Sequence, residues 1–343
     1  MRLLIVGGGS IGERHLRCFA KARRSLKIEL CEPRAARRRE LAAMYDLDGA
    51  HADYSDLDLS AFDVAVLCTP ANLHVPQARQ FAEAGCHLLI EKPLCITEQG
   101  VTALMRTVRR NKVVAGVGYT YRNYPDLLKM AGLIRKGKLG PPLAARMTMA
   151  YNYPLYRPDY RRNYFANAET GGGTINDVAS HGIAFLTGIL GRPSEVTCAT
   201  GRLKIRGVSV EDTAAITLRF ASGALCELWA SAWQPRRKTE CEVIGPEGHL
   251  RYRTIFDENR TELAFNPGDR RGRGFYGGGR SWKVISGREF DADEPFVSQA
   301  KNLLAAIAGR ERVRCSLEDA LHVHAVCRAA LVSAKRGRRV AVK

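Results

Sequence analysis

The chain reads as an α/β protein of two domains. Three observations point there: a strand running straight into a glycine turn and a helix at the start, strands and helices alternating to about residue 120, and a succession of strand-like segments beyond residue 142. At 343 residues it exceeds the usual reach of one hydrophobic core, and 45% hydrophobic residues suffice to fill two.

The first element is RLLIV at 2–6, a short run of strand formers. GGGSIG follows at once, and ERHLRCFAKA behind it has helical spacing. Gly7, Gly9 and Gly12 match G-x-G-x-x-G, in which the first glycine allows the tight turn, the second lets backbone approach a pyrophosphate, and the third permits close helix packing. Ser10 and Ile11 open the helix, whose free N–H groups and positive end favour phosphates. A second strand, KIELCE, ends in Glu32, 20 residues after Gly12, where a carboxylate can accept hydrogen bonds from ribose hydroxyls. That favours NAD as cofactor. NADP stays open, because Arg34 and Arg37 to Arg39 lie just beyond and are able to hold a 2′-phosphate.

Alternation continues with strand DVAVLC (63–68), a helix through VPQARQFAEAG, strand HLLIE (87–91), a helix from Thr97 to Asn111 and strand VVAGVGY (113–119). Such units imply a doubly wound parallel sheet covered on both faces, with ligands at the carboxyl ends of its strands. The residues there are Cys68, Thr69, Pro70, Asn72 and His74 after one strand, Glu91, Lys92 and Pro93 after the next, and Tyr119, Arg122 and Asn123 after the last. Later segments LAARMTMAYNY, EVTCATGRL, TAAITLRF, ALCELWASA and ECEVIG read as neighbouring strands of a meander.

Composition narrows the partners. The net charge is +18, but the basic residues are dispersed in short groups (Arg37 to Arg39, Arg236 to Lys238, Arg270 to Arg273, and Lys335, Arg336, Arg338 and Arg339), so a nucleic-acid partner is not expected, whereas an anionic substrate is compatible. Ten cysteines are scattered without Cys-x-x-Cys spacing, which implies reduced, buried thiols and no metal site. MRLLIVGGG lacks the length and cleavage pattern of a secretory signal, and no apolar run approaches the roughly 20 residues that cross a bilayer. A soluble cytoplasmic protein is expected.

GGGSIGERH at the start, TPANLH at 69–74, EKP at 91–93, GGGTINDVASH at 171–181 and the closing SLEDALHVHAVCRAALVSAKRGRRVAV occur in the order and near the spacing of one family. Over essentially its whole length the chain resembles the glucose-fructose oxidoreductase, inositol dehydrogenase and rhizopine-catabolism (Gfo/Idh/MocA) family. The resemblance implies a Rossmann domain over 1–120. Over 121–343 it implies a substrate-binding and oligomerisation domain with an open, mostly antiparallel sheet, assembled as a homodimer or homotetramer. It also implies an NAD(P)-dependent dehydrogenase or reductase acting on a sugar, cyclitol or sugar derivative.

After the triple glycine at 171–173, an apolar-periodic stretch to Leu190 reads as a helix, with Asp177 and His181 at i and i+4 on one face. Oxidising a secondary alcohol requires a base for the hydroxyl proton, and histidine titrates near operating pH. By the resemblance, His181 is the general base or acid, Asp177 holds a substrate hydroxyl, and Lys92 donates to the reacting oxygen. Tyr119, Arg122, Asn123, Tyr153, Tyr160, Arg161, Arg162, Asn163 and Asn176 suit a polyol as a surrounding set. Trp233 and the glycine-rich 270–282 segment could form a wall or lid, though a surface loop is the better reading of the latter. Many family members carry a polar residue where this chain has Ala184, which weakens substrate assignment by analogy. Two other outcomes fit the same fold: an NAD-dependent glycosidase acting through transient oxidation, and a dinucleotide-binding sensor without turnover.

Overall fold

A computed structural model describes residues 1–268 and 281–342. The proposed wall or lid at 270–280 and the arginines at 270–273 lie outside the described residues. The chain packs into two compact units, one comprising 1–123 with 292–321 and the other 124–291 with 322–343. The division is therefore not a single cut near residue 120, because a late segment returns to the first unit.

In the first unit, strands β1 (Arg2–Val6), β2 (Lys27–Cys31), β3 (Gly49–His51), β4 (Val64–Leu67), β5 (His87–Ile90) and β6 (Ala115–Val117) form an all-parallel sheet in the order β3-β2-β1-β4-β5-β6. The order reverses between β1 and β4, the switch point at whose carboxyl ends ligands of such sheets bind. Helices Ser10–Ala22, Ala35–Met44, Ala71–Glu83 and Val101–Arg110 link the strands. Apolar runs such as LLIV and VAVL are fully buried, as expected of strands covered on both faces. The returning helix Glu294–Ile307 packs Ala300, Leu303 and Leu304 into the same core as Leu3, Ile5, Leu16 and Phe19. Its start is anchored by Arg17, which donates to both carboxylate oxygens of Asp293 at 2.7 and 2.8 Å. The predicted 97–111 helix begins later, at Val101, after Gly100 in the left-handed region.

The second unit is built on a nine-stranded sheet. Its strands are β7 (Ala144–Asn152), β8 (Pro193–Gly201), β9 (Thr213–Phe220), β10 (Leu225–Ser231), β11 (Trp233–Gly245), β12 (Gly248–Ile255), β13 (Arg260–Asn266), β14 (Lys283–Glu289) and β15 (Val340–Ala341), in the order β14-β13-β12-β11-β7-β10-β9-β8-β15. Pairing is antiparallel except where β7 lies parallel to β10. The meander is thus split in two by β7, which no local turn could have indicated. Strict alternation along β9 and β10 buries one face and leaves the other open, with Trp229 and Leu225 standing out from it.

Candidate active site

The glycine turn occupies the carboxyl end of β1. Gly7 has φ +100, and a Cβ there would meet the Cys68 carbonyl oxygen at 2.8 Å; one on Gly12 would sit 1.8 Å from the Gly7 carbonyl oxygen. Gly9, the residue capping helix Ser10–Ala22, has open space where its Cβ would be, and no side chain caps the helix. First-turn N–H groups that no side chain of the N-cap residue covers, over an open cradle, fit the pyrophosphate of a dinucleotide.

Glu32 stands beside this turn, buried. Its Oε2 accepts from Gly8 N at 2.8 Å and from Arg34 at 3.0 Å, and its Oε1 accepts from Arg34 N at 2.9 Å and Arg34 Nε at 2.8 Å. The Arg34 guanidinium holds the carboxyl down to about 2 against the opposing effect of burial. Its acceptor sites are thus filled by the protein, and a ribose must compete with the exposed Arg34 side chain for them. Arg37 is also committed: it donates to Gly8 O at 2.8 Å and pairs with Glu13 and Glu40, so it braces the turn rather than offering itself to a 2′-phosphate.

Of the other residues expected at the cofactor, His74, Thr69 and Glu91 bond within the protein. The two ring nitrogens of His74 lie 2.8 Å from the carbonyl oxygens of Pro93 and Thr69, strapping two loops together in a buried position. Thr69 donates to Gln77 at 2.6 Å. The Cys68 thiol is pushed well up by burial, while Pro70 and Asn72 are exposed at the start of helix Ala71–Glu83. Glu91 is buried, its Oε1 2.7 Å from His15 Nε2 and its Oε2 accepting from Lys92 N at 3.1 Å. Lys92 follows, half-buried. Beyond β6, Tyr119 and Asn123 are buried, Asn123 accepts from Arg314 at 3.0 Å, and Arg122 donates to Arg314 O and Asp319, both at 2.8 Å. Arg122 and Asn123 thus bond the returning segment, a use that sequence proximity to a strand end does not disclose.

In the second unit the triple glycine is required sterically. A Cβ on Gly172 would fall 2.3 Å from Phe165 O, and one on Gly173, at φ +92, would meet the Glu211 carboxylate at 2.6 Å. Glu211 Oε1 accepts from Ile175 N at 2.8 Å, and burial raises its pKa. The chain then winds through a π-helical turn, Ile175–Ala179, before helix Ser180–Leu190, where a regular helix was expected. The wider turn leaves the four-residue step from Asp177 to His181 just short of one revolution, so both still leave the same side. Next to His181, Gly182 lets the helix lie against Leu228, Met147 and Met149 of the sheet.

Asp177 is buried and accepts from Tyr151 at Oδ2 (2.9 Å) and from Tyr164 at Oδ1 (2.5 Å). Tyr151 and Tyr164 were not singled out from sequence; their distance from Asp177 along the chain gave no spacing signal. Of those that were, Tyr153 stacks on Phe165 at 4.2 Å in a buried cluster, buried Tyr160 donates to Arg206 O at 3.1 Å, and Asn163 accepts from Phe165 N at 3.0 Å. Arg161 lies over the Tyr160 ring and donates to Arg206 O, Asn176 donates to Gly172 O at 3.1 Å, and Arg162 is exposed. Trp233 is half-buried and donates to Thr213 at 2.7 Å, and Ala184 is fully buried. Among the described residues no three His, Cys, Asp or Glu side chains gather as a metal site, all ten cysteines are free, and no helix is long and apolar enough to cross a membrane.

Comparison with known proteins places these features. Residues 1–119 match the model of an oxidoreductase family with an NAD-binding Rossmann fold, and 127–251 match the GFO/IDH/MocA C-terminal domain. The 1,5-anhydro-D-fructose reductase of Ensifer adhaerens is 29% identical over 57% of this chain, a match spanning 58% of that relative's length. Levoglucosan dehydrogenase of Pseudarthrobacter phenanthrenivorans is 25% identical over 97% of this chain and 95% of its own. A solved levoglucosan dehydrogenase in complex with NADH superposes with a TM-score of 0.87 at 22% identity, covering 100% of this chain and 99% of that one, a likeness of fold.

Proposed function

Because the chain belongs to the Gfo/Idh/MocA family of oxidoreductases, we propose that it moves a hydride between NAD and a secondary alcohol or ketone of a sugar, cyclitol or sugar derivative. The observation that carries this reading is the His181 and Asp177 pair behind the triple glycine, with Asp177 clamped by two tyrosine hydroxyls. Bound NAD supplies the hydride acceptor in oxidation, and NADH the donor in reduction. In oxidation His181 takes the proton of the substrate hydroxyl, and in reduction it returns one to that oxygen. Asp177, oriented by Tyr151 and Tyr164, holds a substrate hydroxyl, and Lys92 donates to the oxygen on which negative charge develops. Sugar substrates agree with the names of the reductase and dehydrogenase relatives.

The first domain serves the cofactor and the second the substrate in this reading. We place the protein in the cytoplasm as a homodimer or homotetramer joined through the open face of the nine-stranded sheet, where Trp229 is 40% and Leu225 43% exposed. The test is titration of cofactor-free protein with NAD(H) and NADP(H), followed by a nicotinamide absorbance screen on levoglucosan, 1,5-anhydrofructose, myo-inositol and their phosphates. Turnover on a polyol that falls by about 10²–10⁴ in His181→Ala supports the reading. Full activity in that variant, or no dinucleotide binding at all, overturns it.

A further inference from the structure

His15 is fully buried in the first turns of helix Ser10–Ala22, between the ring of Phe19 and the edge of Phe296, whose centroid is 5.5 Å away. Its Nε2 lies 2.7 Å from Glu91 Oε1, and its Nδ1 is buried with no hydrogen-bond partner among the described residues. These two facts choose the tautomer. A proton on Nδ1 would be a buried, unsatisfied donor, whereas one on Nε2 is given to a carboxylate. The other carboxylate oxygen accepts from the backbone N–H of Lys92 at 3.1 Å. Burial works against the charge on Glu91, and the His15 bond together with the Lys92 ammonium outweighs it, so the carboxyl stays below its ordinary range. Gly118 keeps the space clear, since a Cβ there would stand 2.8 Å from Glu91 Oε1.

We propose that His15 is a positioning residue: acting through Glu91, it fixes where Lys92 stands, and so couples the helix behind the glycine turn to the lysine that meets the reacting oxygen. The inference rests on the reading of Lys92 as that donor. His15 is the side chain that bonds the Glu91 carboxylate. One oxygen holds the lysine backbone and the other is held by the helix, so cutting the His15 bond leaves a buried charge free to turn and carry residue 92 with it.

The test compares His15→Gln, which can place a donor near Nε2, with His15→Asn, whose amide reaches only the Nδ1 position, and His15→Phe, which has no donor. Two readouts are taken. The first is the rate at which acetic anhydride acylates the Lys92 ε-amine in cofactor-free protein, followed by mass spectrometry. The second is kcat and KM on myo-inositol or levoglucosan. The expected result is an altered Lys92 acylation rate and a kcat lower by about 10- to 100-fold in the Phe and Asn variants, little change in the dissociation constant for NADH, and recovery of both readouts in the Gln variant. If the Phe variant does not fold, the Gln and Asn pair decides. Equal behaviour of Gln and Asn, or a loss that tracks NADH affinity alone, overturns the proposal. Lys92→Met separates the two levels: full activity in that variant removes the lysine from the reaction, whereas inactive Lys92→Met beside unaltered His15 variants removes only the role of His15.

Discussion

Tyr164 donates to Asp177 Oδ1 at 2.5 Å while its residue surface remains 45% exposed. The hydroxyl is turned inward, where burial and the neighbouring carboxylate keep it protonated far above the ordinary tyrosine range, while part of the ring faces solvent. Asp177 is thereby fixed from the loop side by Tyr164 and from β7 by Tyr151. Replacing Tyr164 by Phe leaves one carboxylate oxygen without its donor. A fall in kcat/KM of about tenfold is expected, with a loss in melting temperature of only a few degrees. Steady-state kinetics and a thermal melt check this; unchanged kcat/KM would separate the tyrosine clamp from substrate binding.

Gly9 and Gly12 separate folding from binding within one motif. Gly12→Ala puts a Cβ against the Gly7 carbonyl and is expected to destabilise the protein by roughly 3 kcal/mol or more. Gly9→Ala meets nothing in the protein, so its melting temperature should stay within a degree or two while NADH affinity drops at least about tenfold. A fluorescence titration with NADH alongside the melt tests the contrast. Normal NADH affinity in Gly9→Ala would place the pyrophosphate elsewhere.

Glu32 has a pH consequence. The Arg34 guanidinium and backbone N–H groups hold its carboxyl down to about 2, against an ordinary value of 4.5. A depressed folded-state pKa means the stability it contributes is complete above pH about 4.5 and is lost as pH falls toward 2. Glu32→Gln should lower urea stability by about 1–2 kcal/mol at neutral pH, less than the full shift implies because Arg34 stands in solvent. The difference between the two proteins should shrink below pH 4. A gap that stays constant down to pH 3 would show that the charge on Glu32 does not stabilise the fold.

Arg34 also competes with a ribose for the Glu32 oxygens. Arg34→Ala removes two donors from them, and NAD affinity should rise about three- to tenfold, with NADP affinity reduced. Isothermal titration with both cofactors checks it. Weaker NAD binding in the variant would mean that Arg34 assists the cofactor rather than shielding the acid.

The sheet of the first unit was legible because a parallel strand covered on both faces needs an unbroken apolar run, and LLIV and VAVL are such runs. The steric need for glycine at positions 7 and 12 was legible for a similar reason: the absence of a side chain is a local fact. Polar residues are a different matter. Arg122, Asn123 and Arg37 sit where ligands are expected, and each bonds a partner far away in sequence, as Arg122 does Asp319 and Arg37 does Glu13. A polar side chain satisfies whichever buried group comes near it, and only packing decides which that is.

By itself, then, the amino-acid order determined the glycine cradle, the strand and helix alternation, and the Asp177 and His181 step, all of which follow from backbone sterics and periodicity over a few residues. Tertiary structure alone decided the return of residues 292–321 to the first unit, the insertion of β7 between β10 and β11, and the pairing of Tyr151 and Tyr164 with Asp177 and of His15 with Glu91. The three side-chain pairings join residues 13 to 76 positions apart, and their free energy comes from burying and satisfying polar groups together, which no local pattern encodes.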